Sequence, residues 1–329
     1  MKKIRFSTIG AMLLIGYGSD VFATSITNSD WISGAKIAQG NTLTNSGYIF
    51  DYVWNDGTLE NQTDGKLILG GAYPTLNRGA MLNNGNISIT DAVFQNDGVL
   101  TNNGNITQTN SHNSWFLNAS TGTLVNQSTL SAKTLYNSGT LINQGTISGD
   151  TFYQNQGILK LGGSMNESNV NVKSGAITFD IFGSAAGQYG TLNTQYNLDF
   201  GTSNSPYNFS GIFSGLADAS IGFDFTGTNI SEIAGHSFTF LSSRDIEGFN
   251  DSMLNTTVFT TAGLSFNIQK TFGTWNQLTG VTLAFNNLPI PSITSPVPEA
   301  DEWAMMMLGL GMMGFIANRK KAPIEIIAA

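Results

Sequence analysis

The feature that most constrains this chain is a short motif, Asn-x-Gly-x-(Leu/Ile), which recurs eight times between residues 45 and 160. It begins at Asn45, Asn55, Asn83, Asn96, Asn102, Asn137, Asn143 and Asn155. Three pairs of asparagines stand six residues apart: Asn77 and Asn83, Asn96 and Asn102, Asn137 and Asn143. Longer units open on an apolar or aromatic residue, such as Trp54, Leu76, Phe94, Leu117, Tyr136 or Phe152. Counting from Asn55 through Asn77, Asn96, Asn118, Asn137 and Asn155, the units step by 22, 19, 22, 19 and 18 residues. A period near twenty marks a repeat architecture, in which one unit cannot bury its apolar face without the next.

Around each motif the apolar residues alternate with polar ones, as in Leu-x-Asn-x-Gly-x-Ile. That period of two reads as short strands separated by turns, two or three strands to a unit. Winding the units as coils ~4.8 Å apart stacks like on like. The expected fold is all-β: a right-handed parallel β-solenoid with Asn/Gly-rich repeats of about 20 residues. Leu, Ile and Phe would stack inside, and the Asn side chains would form hydrogen-bonded ladders at the turns. Six coils would extend roughly 29 Å. The competing arrangement is an antiparallel sandwich of Asn-Gly hairpins; the six-residue sub-period favours the solenoid. In either, Asn and Gly read as turn residues that tolerate left-handed backbone angles.

The repeats occupy 24–175. Beyond them alternating segments continue at 176–181, 237–241, 264–268 and 281–285, so 176–289 reads as a β-rich continuation or cap that closes the last coil's edge. Charged residues are only 11% of the chain while aromatics are also 11%, which is not a disordered composition. There is no Cys, so neither disulfides nor thiolate chemistry is available. A net charge of −8 argues against a nucleic-acid partner. The repeat pattern resembles those of large bacterial adhesins and autotransporter passengers. No long amphipathic barrel region follows it, which argues against self-export.

The two ends are unlike the body. Lys2, Lys3 and Arg5 precede a short apolar stretch, and Val21-Phe22-Ala23 supplies a small residue, Ala23, at the cleavage point with Val21 at −3. Residues 1–23 read as a secretory signal peptide cut after Ala23; the alternative, an uncleaved anchor, would need a longer apolar run. Near the C-terminus a Pro-rich linker covers 290–298, then an acidic patch, then an uncharged run from Trp303 to Ala317, then Arg319, Lys320 and Lys321. As a helix that run spans roughly 22 Å, short of the ~30 Å hydrocarbon core. Trp303 would sit at one interface and the cations would stay cytoplasmic.

The sequence Val297-Pro298-Glu299, the Trp-led apolar run of 303–317 and the basic cluster together resemble a PEP-CTERM sorting signal over 299–321. The third motif position is Ala300 where the family has Pro, and a short tail, 322–329, follows the cations. The resemblance implies one short transmembrane helix, an exosortase-type membrane processing enzyme as partner, and delivery from an inner-membrane-anchored intermediate to the envelope, outer surface or extracellular matrix. Family members commonly come from exopolysaccharide producers. A plain C-terminal anchor, or an apolar tail buried in the fold, is the alternative.

Catalytic signals are sparse. His112 lies in a polar turn and His236 at a strand start. There is no Gly-x-Ser-x-Gly elbow, phosphate loop or dinucleotide fingerprint. Asp56, Glu60, Asp64, Asp91 and Asp97 are turn carboxylates, and three of them precede Gly as ordinary turn chemistry. The sequence therefore points to a non-enzymatic exported surface or matrix protein, open to an adhesive role or to partnership with exopolysaccharide or other glycans. No catalytic, metal or cofactor site is assigned. The alternative is a secreted polysaccharide lyase or hydrolase on a parallel β-helix.

Overall fold

A computed structural model describes residues 13–15 and 25–288, except 72, 111–113, 186, 201–217 and 275. Within them the chain coils between two sheets. The ten-strand sheet is parallel throughout, from Ser25–Asn28 through Thr42–Asn45, Thr58–Asn61 and their successors to Asp218–Asp224. The seventeen-strand sheet is parallel from Trp31–Ile37 through Thr191–Asp199, and ends in an antiparallel pair, Phe266–Phe272 with Leu278–Phe285. Helix is confined to Ile230–Ile233, Thr257–Thr261 and a 3₁₀ turn, Asp251–Met253. Parallel coils therefore replace the hairpin alternative.

Each coil places its apolar residues directly over those of the coil below. One interior column runs Leu43, Leu59, Met81, Leu100, Leu124, Leu141, Leu159, Ile177; another runs Ile32, Ile49, Leu67, Ile87, Ile106, Leu130, Ile147. Every member is buried. Phe94 stacks on Phe116 at 4.7 Å between ring centroids. At the C-terminal end the column gives way to a knot of rings, Phe179, Phe223, Phe240, Phe259 and Phe285, packed edge-on or tilted. At the other end Leu13–Ile15 runs parallel to Ala35–Ile37, covering part of the first coil's edge.

Two amide ladders run through the turns. The first is Asn28, Asn45, Asn61, Asn83, Asn102, Asn126, Asn143, each Nδ2 donating to the next Oδ1 at 2.7–2.8 Å. The second is Asn55, Asn77, Asn96, Asn118, Asn137, ending on Gln154 Oε1. Successive rungs lie 16 to 24 residues apart. The six-residue pairs of the sequence are the two ladders crossed within one coil. All ladder residues after Asn28 are at most 1% exposed. The second amide hydrogen is used too: Asn55 also donates to Ala80 O at 2.8 Å, and Asn118 to Thr140 O at 2.9 Å. Burial of so many amides is tolerable because they are satisfied in a polarised chain.

The glycines of the motif serve a purpose other than left-handed backbone. Of the turn column Gly57, Gly79, Gly98, Gly122, Gly139, Gly157, only Gly157 has a positive φ. A side chain at Gly79 would meet Gly57 O, one at Gly98 would meet Gly79 O, and one at Gly139 would meet Gly122 O, all inside van der Waals contact. The turn's own N–H groups bond to the turn beneath: Arg78 and Gly79 both donate to Asn55 O at 2.8 and 2.9 Å, and Ala80 to Gly57 O at 2.8 Å. Each turn is thus a continuation of the parallel ladder, and Gly is required by close approach.

The dipeptide Asn102-Asn103 tests this division. Asn102 is fully buried and its side chain holds both neighbours; Asn103 is exposed and its side chain donates to Asn84 Oδ1 at 2.9 Å. Asn102→Ala should destabilise by about 2–4 kcal/mol, leaving Asn83 and Asn126 short of partners, whereas Asn103→Ala should stay within ~0.5 kcal/mol. Urea unfolding of both variants checks it; equal effects would contradict the ladder's role.

Candidate functional site

Interior positions are taken by ladders and apolar columns, so chemistry must come from outward positions or from exceptions inside. On the seventeen-strand sheet the register builds two outward rows. One is Asn86, Asn105, Thr129, Thr146, Ser164, Thr191; beside it run Ser88, Thr107, Ser131, Ser148, Asn166, Asn193. None of the twelve is charged or buried. Toward the N-terminal coils the same rows carry Trp31, Tyr48 and Phe50, with Trp31 stacked on Tyr48 at 4.5 Å and Lys66 Nζ 5.0 Å from the Tyr48 ring centre.

Gln108, Asp180 and Asp199 are buried polar exceptions to this rule, and Glu167 is the one buried residue among those described with neither carboxyl oxygen hydrogen-bonded. Alternation from Met165 puts Glu167 on the core side, where it is 3% exposed and neither carboxyl oxygen has a hydrogen-bond partner. The position below is Gly149, and a side chain there would come within 2.9 Å of Glu167 Oε2. The carboxyl occupies the space this glycine leaves. Burial, with the negative charge of Asp150 second, pushes its pKa up to about 8. The residue lines a groove of about 380 Å³ with Ser148, Asn166, Asn193 and Thr194, members and neighbours of the second outward row.

A second groove, about 390 Å³, lies on the ten-strand sheet around Lys160. Lys160 Nζ is 3.3 Å from Asp180 Oδ1 and 2.9 Å from Asp224 Oδ2. Its pKa is raised, chiefly by the Asp224 hydrogen bond. The two carboxyls are driven in opposite directions. Burial raises Asp180, while hydrogen bonds from the Thr226 hydroxyl and from Lys160 hold Asp224 at about 2. Phe182, half exposed, stands at the rim.

The turn carboxylates of the sequence do not converge. Asp56 pairs with Arg78 at 3.4 Å, Asp97 accepts from Gln95, Glu60 faces Gln62, Asp64 is exposed, and Asp91 holds a left-handed turn at φ 53°. His236 is exposed; His112 lies outside the described residues. Ala23, Val297, Pro298, Glu299, Trp303, Arg319, Lys320 and Lys321 also lie outside them. Among the described residues there is no group of three or more His, Cys, Asp or Glu set to hold a metal, and no helix long and apolar enough to cross a membrane. Glu167, Asp180 and Asp224 were not singled out from sequence. For Glu167 the signal was available: a carboxylate two residues from Met165, on the inward phase of a strand.

Compared with family models, characterised proteins and solved structures, the chain matches none.

Glu167 fixes the sign of one pH effect. Its ordinary value is 4.5, so between about 4.5 and 8 the folded chain keeps a proton that the unfolded chain has lost. Stability should therefore fall as pH rises through that window and level off above it, by on the order of 5 kcal/mol at ~1.4 kcal/mol per pH unit. Glu167→Gln should flatten the slope and raise the melting temperature most at pH 8.5. A thermal-melt series across pH on both chains checks it; parallel curves would contradict the assignment.

Proposed function

We propose that this chain is an exported, non-enzymatic protein of the cell surface or extracellular matrix, whose solenoid body adheres to exopolysaccharide or a similar glycan. The observation that carries the reading is the pair of outward rows. Twelve uncharged hydroxyl and amide side chains repeat from coil to coil along one face. Single contacts of this kind are weak, but a polymer with its own repeat can make many at once, and linked weak contacts multiply. Such a face suits an extended chain of hydroxylated units better than one small substrate. The interior ladders keep the rows in register without any help from the ligand, which lowers the ordering cost of binding.

The ends supply the route. Residues 1–23 would direct export, and cleavage after Ala23 would remove the Leu13–Ile15 strand from the edge it covers at Ala35–Ile37. An exosortase-type enzyme would read Val297-Pro298-Glu299, while 303–317, led by Trp303, holds the chain in the inner membrane and Arg319, Lys320 and Lys321 remain cytoplasmic. Processing would then deliver the body to the envelope or matrix. Fractionation of cells with and without the processing enzyme tests the route. The body should leave the membrane fraction only when the enzyme is present, and equal retention in both strains would overturn it. For the face, Thr129→Glu with Thr146→Glu should weaken retention on host exopolysaccharide by ~10-fold through loss of linked contacts and charge repulsion. Unchanged retention would rule that face out.

A second reading, a polysaccharide lyase or hydrolase, is favoured by the groove around Lys160. Two carboxyls driven in opposite directions, Asp180 upward by burial and Asp224 downward by its hydrogen bonds, suit acid–base cleavage of a glycoside. On this reading the purified chain releases reducing or unsaturated sugars from matrix polysaccharide, and Asp180→Asn abolishes the release. No product from the parent chain would dismiss it.

A further inference from the structure

We infer that Tyr48 and Lys66 form a clamp for a sugar carboxylate near the open ring of Trp31, so that the polymer taken by the outward face is one built of acidic sugars. This deepens the glycan reading of that face and rests on it. The outward row changes character along its length. Register places Trp31, Tyr48 and Lys66 in the same row as Asn86 and Asn105. Where the later coils carry hydroxyls and amides, the first three carry two rings and a cation. Trp31 is 50% exposed, with Tyr48 stacked at 4.5 Å and Phe50 at 4.8 Å to hold its ring in place. Core packing gives no reason to gather large rings on an outer surface, so a binding role is indicated.

The cation sets the charge of the ligand. Arg78, Lys133, Lys160 and Lys270 each pair with a carboxylate. Among the described residues Lys66 has no such partner. Its Nζ donates to Tyr48 Oη at 3.2 Å and lies 5.0 Å from that ring's centre. Two acids of these coils are engaged elsewhere: Asp51 Oδ2 accepts from Ser33 Oγ at 2.6 Å, and Asp30 Oδ1 from the Trp31 N–H at 3.0 Å. Because Tyr48 accepts the lysine's bond, its own hydroxyl hydrogen remains to be donated, as do the other ammonium hydrogens. Two donors 3.2 Å apart, one on each of two stacked coils, match the two oxygens of a single carboxylate. Lysine alone holds an anion as a point charge; the hydroxyl adds direction. A sulfate ester, with its charge spread over three oxygens, fits two donors less well. Trp31 stands two coils from Lys66, roughly 10 Å, so ring and clamp meet different units of one polymer. A chain with a carboxylate on every unit fills the clamp in any register while the apolar face of another sugar rests on the indole. The hydroxyl and amide rows that continue from Asn86 favour a glycan over an acidic peptide as the occupant.

The test is affinity electrophoresis of the full chain through gels holding polygalacturonate or the same polymer methyl-esterified. The acid should retain the parent ~10-fold more strongly than the ester, and high salt should remove the difference. Lys66→Gln should weaken retention on the acid ~10-fold, and Tyr48→Phe, which keeps the ring, ~3-fold, with neither changing retention on the ester. Both variants alter only outward atoms and should melt with the parent. Trp31→Ala should weaken retention on both polymers. The inference is overturned if acid and ester retain the parent equally, if dextran sulfate or polyglutamate binds as tightly as polygalacturonate, or if Lys66→Gln behaves as the parent on the acid. Retention on host exopolysaccharide, and its loss with Thr129→Glu and Thr146→Glu, is read separately, so the clamp can fail while the adhesive face stands.

Discussion

The stacking of one coil's turns directly on the next is the constraint on which the rest of this molecule depends. A parallel stack works only if backbone, side-chain and turn positions all repeat at the strand spacing. The ladders and the glycine columns meet that requirement by different means. Gly79, Gly98 and Gly139 let carbonyls of the coil below approach where a methyl group could not fit. The asparagines beside them then meet neighbours at 2.7–2.8 Å, each amide using both hydrogens. Removing Cβ and adding an amide are two halves of one device, which explains why they recur as a single motif.

A directional chain of donors must start and stop somewhere, and both ends are visible. In the first ladder Asn28 Oδ1 accepts from the Asp30 N–H, closing the start locally. In the second, Asn55 lies over Ile37, and its Oδ1 is left without a donor. At the far end Asn143 and Gln154 turn their last hydrogens to backbone carbonyls, and the next coil puts Leu161 and Val172 in those columns. The stack continues past this point on apolar packing, and the rings around Phe223 and Phe259 close it. Polar specification of register therefore belongs to the coils from Asn28 to Gln154, while the C-terminal end relies on hydrophobic burial, which is less selective for position.

Much of this was written in the sequence because the motif and the structure share one period. Strand alternation, parallel stacking and the amide ladders all follow from it. What was not legible came from insertions and from the meaning of Gly. Asn155 carries the motif, yet Gln154 holds the ladder position, because one extra residue enters the turn and Gly157 takes φ 79° to absorb it. Asn61 and Asn118 are ladder members whose glycines, Gly65 and Gly122, follow four residues later rather than two, so the motif misses both; the longer step finds Asn118 but not Asn61. The variation of 16 to 24 residues per rung is taken up in such turns while the strands stay in register. The carboxylates of interest were hidden for another reason. Asp180 and Asp224 lie 44 positions apart, and only the pairing of Ser174–Asp180 with Asp218–Asp224 brings them to the same end of one sheet.

Division of labour between inside and outside gives the functional readings their logic. Where the ladder amides are bound to their counterparts in the next coil, the outward side chains are relieved of any structural duty beyond solubility. A row such as Asn86 to Thr191 is then free to vary with the ligand, and its uniform lack of charge is a choice that folding does not impose. Glu167 is the reverse case: an interior position where folding would favour Leu, Asn or Gln, filled by a carboxylate that neither ladder can use. The groove at Glu167 opens beside the row that carries Ser148 and Asn166, so an unsatisfied interior carboxyl and the most regular exterior surface adjoin.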